Sequence, residues 1–323
     1  MKKIFQKKET NMLIVVIVIS ILITLKNSTF MSIENLVDLL KCNTVIGILG
    51  MGMLMAIITG GIDISVGAMT SLITVIVGKV LVDYQVNIFY LFIIASICGI
   101  LLGSINGFFI SRINIPPIIV TLGTYNLYGG LNIYFTKGAW ITNLPKYFVD
   151  FGQIKIIGLP IQVFFLIGIM CLTYFLLTYT LVGRGIYCIG GNPEAASRVG
   201  YKTKNTLIFV YSYIGFISGI AAVVHTTIVK QVCPNAFLSG SELIVIAAVV
   251  LGGANILGGE GTVLGTLLGV ILLGIINNGL ILARVSTYWQ QIIIGIIILF
   301  SVSFNILRSK NIEKEMFKID VEE

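Results

Sequence analysis

The sequence predicts an all-α polytopic membrane protein with about ten transmembrane helices, on three observations. Hydrophobic residues occupy 57% of the 323 positions and charged residues only 11%, too little charge to cover the surface of a water-soluble domain. The mean hydropathy of +1.01 agrees with this composition. The apolar runs are continuous over about 20 residues, which suits helices that cross a bilayer, whereas the strands of a membrane barrel alternate with period two.

Apolar runs and breaker residues divide the chain into ten candidate spans, which we interpret as a single transmembrane domain, residues 1–323. The basic start and apolar run of residues 1–25 resemble a signal peptide, but no small-x-small cleavage site precedes Lys26, so we expect a retained first span. Residues 32–41 predict either an amphipathic helix on the outer interface or a plain lead-in to the second span. The spans are 11–25, 42–59, 68–82, 88–110, 118–136, 161–182, 206–230, 243–258, 263–283 and 288–306.

The distribution of lysine and arginine predicts the orientation. On the ten-span topology, 13 of the 21 basic residues lie on the side that carries both termini, and 8 lie on the other side. By the positive-inside rule the termini and the loop of residues 183–205 are cytoplasmic, and residues 137–160 form the main external loop. The net charge of +7 therefore reflects topology. We predict a multi-pass protein of the cell membrane that contacts lipid and binds no nucleic acid.

An internal repeat is visible when the chain is shifted against itself by about 172 residues. Asn106-Gly107 then matches Asn278-Gly279, and Asp63 matches Asn235. Because the two halves are an odd number of spans apart, the repeat has to be inverted across the membrane. Inverted repeats place a substrate path at the interface between the two halves.

The cytoplasmic loop contains the pattern of a short, capped helix. Asn192 is a good N-cap, Pro193 suits the first helical position, Glu194 places negative charge in the first turn, and Gly200 closes the helix. The pattern fits either a docking element or a capped turn that joins two spans. Small and basic residues that would let another surface approach are Ala195, Ala196, Ser197, Arg198, Lys202 and Lys204.

A second polar interruption, Gly60-Gly61-Ile62-Asp63-Ile64-Ser65-Val66-Gly67, breaks an apolar run at membrane depth. Adjacent glycines favour a helix break, and an unpaired carboxylate in lipid costs at least ~2.5 kcal/mol. Asp63 and Ser65 are therefore expected to face a cavity on the transport path, and Gly60 and Gly61 to form the break. Equally, Asp63 could be the N-cap of the following helix.

Other candidate path or gate residues are neutral and polar. Asn235 and Ser239 lie in the external stretch 231–242, which is rich in groups that hydrogen-bond to sugars and fits an ordinary loop equally well. Asn277 and Asn278 are costly in lipid and should face the path or an interhelical hydrogen bond. The repeat adds Asn106 to this group.

The remaining motifs exclude several kinds of site. The glycines from Gly252 to Gly269 follow no strand and are not accompanied by Gly-Lys-Ser/Thr, so they predict close helix packing and no phosphate loop. We expect the only histidine, His225, to be a buried core residue. The five cysteines are expected to be small core residues as well. No spacing in the chain suits a catalytic triad, a carboxylate pair or a metal site, so we expect no enzyme activity and no cofactor held by this chain.

Ordered blocks along almost the whole chain after the first span resemble the permease subunits of ribose-type ABC sugar importers. The resemblance implies a dimeric channel, in which this chain pairs with a second permease copy, either identical or related. It further implies partner ABC ATPase subunits that carry ATP and magnesium, and an extracellular solute-binding protein. The blocks are GGIDISVG from Gly60, IPPIIVTLGT from Ile115, IGGN before Pro193 with Glu194-Ala195-Ala196 and Gly200, IAAVVLGG from Ile246, LGG from Leu257 and NNGL from Asn277.

The same resemblance assigns roles to residues. Asn192–Gly200 would dock on the ATPase, and Trp140 and Lys146 in the external loop would contact the binding protein. Gly138-Ala139-Trp140-Ile141 is similar to the autoinducer-2 and rhamnose branches, whereas Asn277-Asn278-Gly279 is closer to the ribose branch, so the solute is expected only to be a monosaccharide or a molecule of that size. The alternative function is a stand-alone ion-coupled carrier, which requires titratable groups deep in the spans; here Asp63 alone qualifies.

Overall fold

The computed structural model describes residues 7–234, 240–297, 299–300 and 303, and these residues are mostly helical, as predicted. A 3-10 turn, Ser28–Met31, follows the first helix, and strands β1 (Lys155–Ile156) and β2 (Leu159–Pro160) form an antiparallel hairpin. Residues 287–297 are also helical. The other helices are α1 (Lys7–Lys26), α2 (Ile33–Ile58), α3 (Val66–Tyr84), α4 (Ile88–Arg112), α5 (Pro117–Thr136), α6 (Lys146–Phe151), α7 (Ile161–Tyr179), α8 (Leu181–Gly191), α9 (Pro193–Arg198), α10 (Thr203–Val229), α11 (Ser241–Leu251) and α12 (Val263–Leu282).

Within the described ranges, seven helices are long and apolar enough to cross a membrane: α1, α2, α3, α4, α7, α10 and α12. Helix α5 and the helical residues 287–297 lie at two further predicted spans. The predicted span 243–258 is shorter than expected, because α11 ends at Leu251 and Gly253 takes a positive φ of 94°. The all-α polytopic class is confirmed.

Residues 33–41 do not form a separate amphipathic helix. They are the first turns of α2, which continues without a break from Ile33 to Ile58 and begins with Ser32 as its N-cap, whose hydroxyl accepts from the amide of Asn35. The structure therefore shows the second interpretation, in which this segment leads directly into the second span. Apolar residues continue directly into the span, so no breaker separates the two segments.

Helix packing follows the predicted repeat. At a shift of about 172 residues, α2, α3 and α4 correspond to α10, α11 and α12. Helix α3 packs against α4 as α11 packs against α12, and α4 packs against α10 as α12 packs against α2. Helix α2 ends against Gly190, near the end of α8 and just before α9, and α10 begins at Thr203, just after α9, so the two corresponding helices run in opposite directions. This arrangement supports an inverted repeat.

Helices α4 and α10 pack antiparallel with their backbones in direct contact. A methyl group on Gly99 would overlap the carbonyl of Gly215, and one on Gly215 would overlap the carbonyl of Gly99. Gly103 and Gly219 make similar contacts one turn away on either side. Small residues at four-residue spacing let the two backbones touch, which is how apolar helices associate without a hydrophobic driving force.

Helix α2 is the centre of the core, since Ile48, Leu49, Met51 and every residue from Met53 to Ile58 are fully buried. His225 is buried, as predicted. The prediction for the cysteines is wrong: Cys42, Cys171 and Cys188 are exposed, and Cys98 and Cys233 are half-buried. Cysteine is apolar enough to lie on the outer surface of a membrane helix, so an apolar sequence context did not imply burial.

Candidate functional site

The capped helix in the loop of residues 183–205 has the predicted geometry. The Asn192 Oδ1 atom accepts hydrogen bonds from the amides of Glu194 and Ala195, both at 3.0 Å, and Pro193 occupies the first position of α9. Gly200 ends the turn with φ of 95°. The sequence did not predict α8, which begins inside the expected span 161–182 because Thr180 caps a new helix at Leu181. The polar loop is thus a pair of helices, α8 and α9.

Helix α9 presents its polar surface outward. Of its six residues only Ala196 is buried, and Val199, directly after it, is 78% exposed. Glu194 and Arg198 form an exposed ion pair at 3.9 Å, which adds little stability of its own. The surrounding cationic side chains Arg184, Lys202 and Lys204 are also exposed. An exposed, rigidly capped helix with excess positive charge around it suits contact with another protein.

The predicted helix break between α2 and α3 contains a buried hydrogen-bond network. The Asp63 Oδ1 atom accepts from the Ser65 amide at 2.8 Å and from the Ser65 hydroxyl at 2.6 Å. The Asn106 side-chain amide, from α4, donates to the Ser65 hydroxyl at 2.8 Å. All three side chains are fully buried. The N-cap of α3 is Ser65, so the interpretation of Asp63 as that N-cap is wrong; Asp63 instead stabilises the turn before the helix.

Three polar atoms around this network have no hydrogen-bond partner among the described residues: Asp63 Oδ2, Asn106 Oδ1 and the Tyr211 hydroxyl. Gly61 is buried against Tyr211, where a methyl group would lie 2.6 Å from that hydroxyl. Gly60 is exposed and has a positive φ of 78°, as expected for a helix break. Buried polar groups without partners cost about 1–3 kcal/mol each, which distinguishes this network from ordinary packing.

Asn278 lies at the opposite end of the molecule from Asp63 and pairs with Asn35 at the start of α2. Each amide donates to the other, at 3.0 Å and 2.9 Å, and Asn35 also donates to the carbonyl of Phe30. Asn277, the preceding residue of α12, is exposed. Asn278 is thus engaged in an interhelical hydrogen bond, one of the two roles predicted for it.

The predicted path residues therefore fall into two groups. Gly60, Gly61, Asp63, Ser65 and Asn106 come together at the end of the molecule where α2 ends, whereas Asn277 and Asn278 lie at the opposite end, where α2 begins. Asn235 and Ser239 lie outside the described residues.

Sequence analysis missed Asn132, which is buried in α5. Its side-chain amide donates to the Ser71 hydroxyl at 2.7 Å and to the carbonyl of Pro234 at 2.6 Å. It therefore joins α5, α3 and the segment after α10. The signal was present, because asparagine in an apolar span is costly unless it is paired.

The external loop places both predicted docking residues at the surface. Trp140 is 55% exposed and Lys146, the first residue of α6, is exposed. The loop is held to the segment after α10 by a bridge between Ile141 and Val232. Helix α7, 19 residues or about 28 Å long, separates this loop from α8. The two candidate docking surfaces thus lie at opposite ends of the molecule.

A groove of about 630 Å³ lies between α4, α7 and α10. Its wall includes Phe92, Phe151, Phe165 and Phe216, and Ser96 is its one polar side chain. A hydroxyl-rich solute needs several hydrogen-bonding groups, which this groove does not supply. Its lining suits the apolar surroundings of a membrane.

Comparison with known proteins agrees with this geometry. Residues 35–302 match the family described as the branched-chain amino acid transport system permease component. The chain is 38% identical to the ribose import permease protein RbsC of Bacillus subtilis over 291 residues, 90% of this chain and 88% of the relative. It is 31% identical to the D-allose transport system permease protein AlsC of Escherichia coli over 311 residues, 95% and 94% of the two chains. It is also 31% identical to the autoinducer 2 import system permease protein LsrC of Salmonella choleraesuis over 303 residues, 93% and 86% of the two chains.

No solved structure matches this chain. The family match covers most of the chain, and the relatives align over nearly their whole length. The chain is therefore a multi-pass membrane protein that belongs to this family of transport-system permease components, and it is a membrane channel component rather than an enzyme.

Proposed function

We propose that this chain is the permease subunit of an ATP-driven importer of a monosaccharide or a similarly sized polar solute. The observation that carries the proposal is the exposed, capped helix α9, held at the end of the molecule opposite the external loop. A permease without an ATP motif needs a surface on which a separate ATPase can act. Helix α9 has that surface, and relatives at 31% and 38% identity are named for the import of ribose, allose and autoinducer 2.

In this proposal two copies of the permease, identical or related, work with two ATPase subunits, which carry the ATP and magnesium. An extracellular binding protein delivers the solute to the external loop near Trp140 and Lys146. Glu194 and Arg198 give the exposed surface of α9 both signs of charge, so its orientation on the ATPase would depend on each of them, because charge complementarity speeds encounter and fixes orientation. The binding protein sets most of the solute specificity.

The movement of solute follows from alternating access. Closure of the ATPase pair on ATP would shift α8 and α9, and the buried network of Asp63, Ser65 and Asn106 lies at the same end of the molecule. Unpaired Asp63 Oδ2 and Asn106 Oδ1 can gain partners in a second arrangement of these helices. We therefore assign the network to the inner gate.

The test is ATP hydrolysis in liposomes by this chain co-purified with candidate ATPase subunits, with and without solute-loaded binding protein. The proposal expects stimulation by the loaded binding protein, and the solute that stimulates best identifies the substrate. If no ATPase co-purifies and uptake follows an ion gradient instead, the chain is the stand-alone carrier.

A charge reversal locates the docking surface. Glu194→Lys should abolish association with the ATPase while insertion into the membrane is unchanged. Glu34→Lys is the matched control, because Glu34 is likewise an exposed acid in the first turn of a helix, but at the outer end of α2. Equal uptake by the Glu194 variant and the wild type would count against the role of α9.

A further inference from the structure

Three distant backbone segments meet at one point beside the docking helix. They are the end of α2 at Ile58–Gly60, Gly190 near the end of α8, and Gly258–Gly259 in the connection after α11; we call this contact the glycine junction. The amide of Gly259 donates to the carbonyl of Ile58 at 2.8 Å. A methyl group on Gly190 would overlap that same carbonyl oxygen, and one on Gly258 would lie 2.7 Å from the carbonyl oxygen of Gly190. The three backbones touch with no side chain between them.

Further contacts hold α8 against both neighbours. The Tyr187 hydroxyl, one turn before Gly190, donates to the carbonyl of Gly261 at 2.8 Å. Ile186 is fully buried and packs in the same cluster as Ile58. The 255–260 turn is itself tight, since the amide of Asn255 donates to the carbonyl of Glu260 at 3.0 Å. Helix α8 is thus fixed both to α2 and to the connection between α11 and α12.

The other end of α8 leads directly into the docking helix. Asn192 donates its amide to the carbonyl of Cys188 at 3.0 Å and caps α9 with its side chain. No residue between α8 and α9 is free to absorb a displacement, because Asn192 ends one helix and begins the next. Gly190 lies within about one helical turn of α9, so a displacement of α9 also displaces Gly190.

We infer that Gly190 is the positioning residue that transmits movement of α9 to both halves of the inverted repeat at once. Helix α2 belongs to the first half, and the connection between α11 and α12 belongs to the second. Backbone atoms in direct contact are hard to compress and have no rotamers, so a displacement on one side of the junction strains the other. Because Gly190 contacts both halves of the repeat, a single movement of α9 can change the interface between the two halves. The inference rests on the proposed function, because it assumes that an ATPase acts on α9.

The chain offers a matched pair of variants. Gly190→Ala places a methyl group into the junction, whereas nothing lies within 4 Å of a methyl group at the neighbouring Gly191. In the complex with ATPase subunits, we expect Gly190→Ala to retain the ATPase and its basal hydrolysis. Stimulation by solute-loaded binding protein, and uptake, should fall about tenfold or more, within the usual range of coupling between sites. Gly191→Ala should behave as wild type.

Stimulated hydrolysis and uptake by Gly190→Ala equal to those of Gly191→Ala would overturn the inference. If the proposed function were wrong, the wild type itself would recruit no ATPase, so the two failures can be told apart.

A second measurement does not depend on the folding of Gly190→Ala. Spin labels at Val199→Cys and Leu257→Cys, in a chain whose native cysteines are replaced, report on the two sides of the junction; Val199 is 78% and Leu257 57% exposed. If the junction moves as one body, the distance between the labels is the same in the nucleotide-free and the nucleotide-trapped complex. A change approaching the length of one helical turn between those states would show that α9 moves past the junction, and the inference would be wrong.

Discussion

At the scale of single residues, Ser65 connects two parts of the buried network, Asp63 and Asn106, that are far apart in the sequence. Its hydroxyl donates to Asp63 and accepts from Asn106, and all three side chains are fully buried. The sequence motif predicted that Asp63 and Ser65 face a cavity on the transport path, and the repeat pointed independently to Asn106. Their mutual contact depends on how α3 packs against α4, which neither signal contains.

Ser65→Ala is expected to destabilise the protein by about 2 kcal/mol or more, because it leaves both Asp63 and Asn106 buried with fewer partners. The free energy of unfolding in detergent measures the loss. Ser104→Ala is the control, since the Ser104 hydroxyl donates only to the carbonyl of Leu101 in its own helix. Equal stability of the two variants would contradict the role given to Ser65.

At the scale of elements, the docking helix depends on local capping and the helix pairs depend on glycine. The cap of α9 was predictable because Asn192, Pro193 and Gly200 act within a few residues of one another. The close approach of α4 and α10 was not, because glycine spacing shows that a helix can pack closely but does not identify its partner.

Asn192→Ala should lower the stability of helix α9 by about 1 kcal/mol and weaken both ATPase association and uptake. Asn192→Asp should keep both, because aspartate caps equally well. Asn87→Ala removes an equivalent cap, the one that accepts from Phe89 at 3.0 Å at the outer end of α4, and should leave ATPase association unchanged. Co-purification of the ATPase is the measurement, and a loss shared by the Asn87 variant would mean that capping matters only for general stability.

Gly215→Ala should destabilise the α4 and α10 pair by about 3 kcal/mol or more, because the added methyl meets the backbone of Gly99 and no flexible side chain can move away. The yield of monodisperse protein in size-exclusion chromatography reports the effect. Gly168→Ala in α7, where a methyl meets nothing within 4 Å, is the control and should be tolerated. Normal yield of the Gly215 variant would show that the two helices can separate without loss of the fold.

At the scale of the whole molecule, the two ends differ in how they are held. The end that carries α9 includes the backbone contacts of the glycine junction, whereas at the opposite end the side chains of Asn35 and Asn278 pair across 243 positions. Asn27 adds a weaker hydrogen bond to the carbonyl of Leu282 at 3.4 Å. The start of α2 is therefore fastened to the end of α12.

A double-mutant cycle on Asn35→Ala and Asn278→Ala should give a coupling free energy of about 0.5–1.5 kcal/mol, the range of hydrogen bonds between membrane helices. Unfolding in detergent provides the four stabilities. Asn277→Ala should show no coupling to Asn35→Ala, because Asn277 is exposed on a different face of α12. Additive effects of Asn35→Ala and Asn278→Ala would mean that the pair does not hold the two helices together.

The sequence by itself determined the all-α class, the positions of most spans and the capped helix α9, and its charge distribution predicts their orientation. These features depend on hydropathy, charge and capping, each of which acts within one span or one helical turn. Only the tertiary structure decided that the predicted path residues divide between two ends, that the cysteines are not buried, and that Ile58, Gly190 and Gly259 touch. Those contacts join segments that are far apart in the sequence, and their partners are selected by packing of the whole bundle rather than by any local pattern.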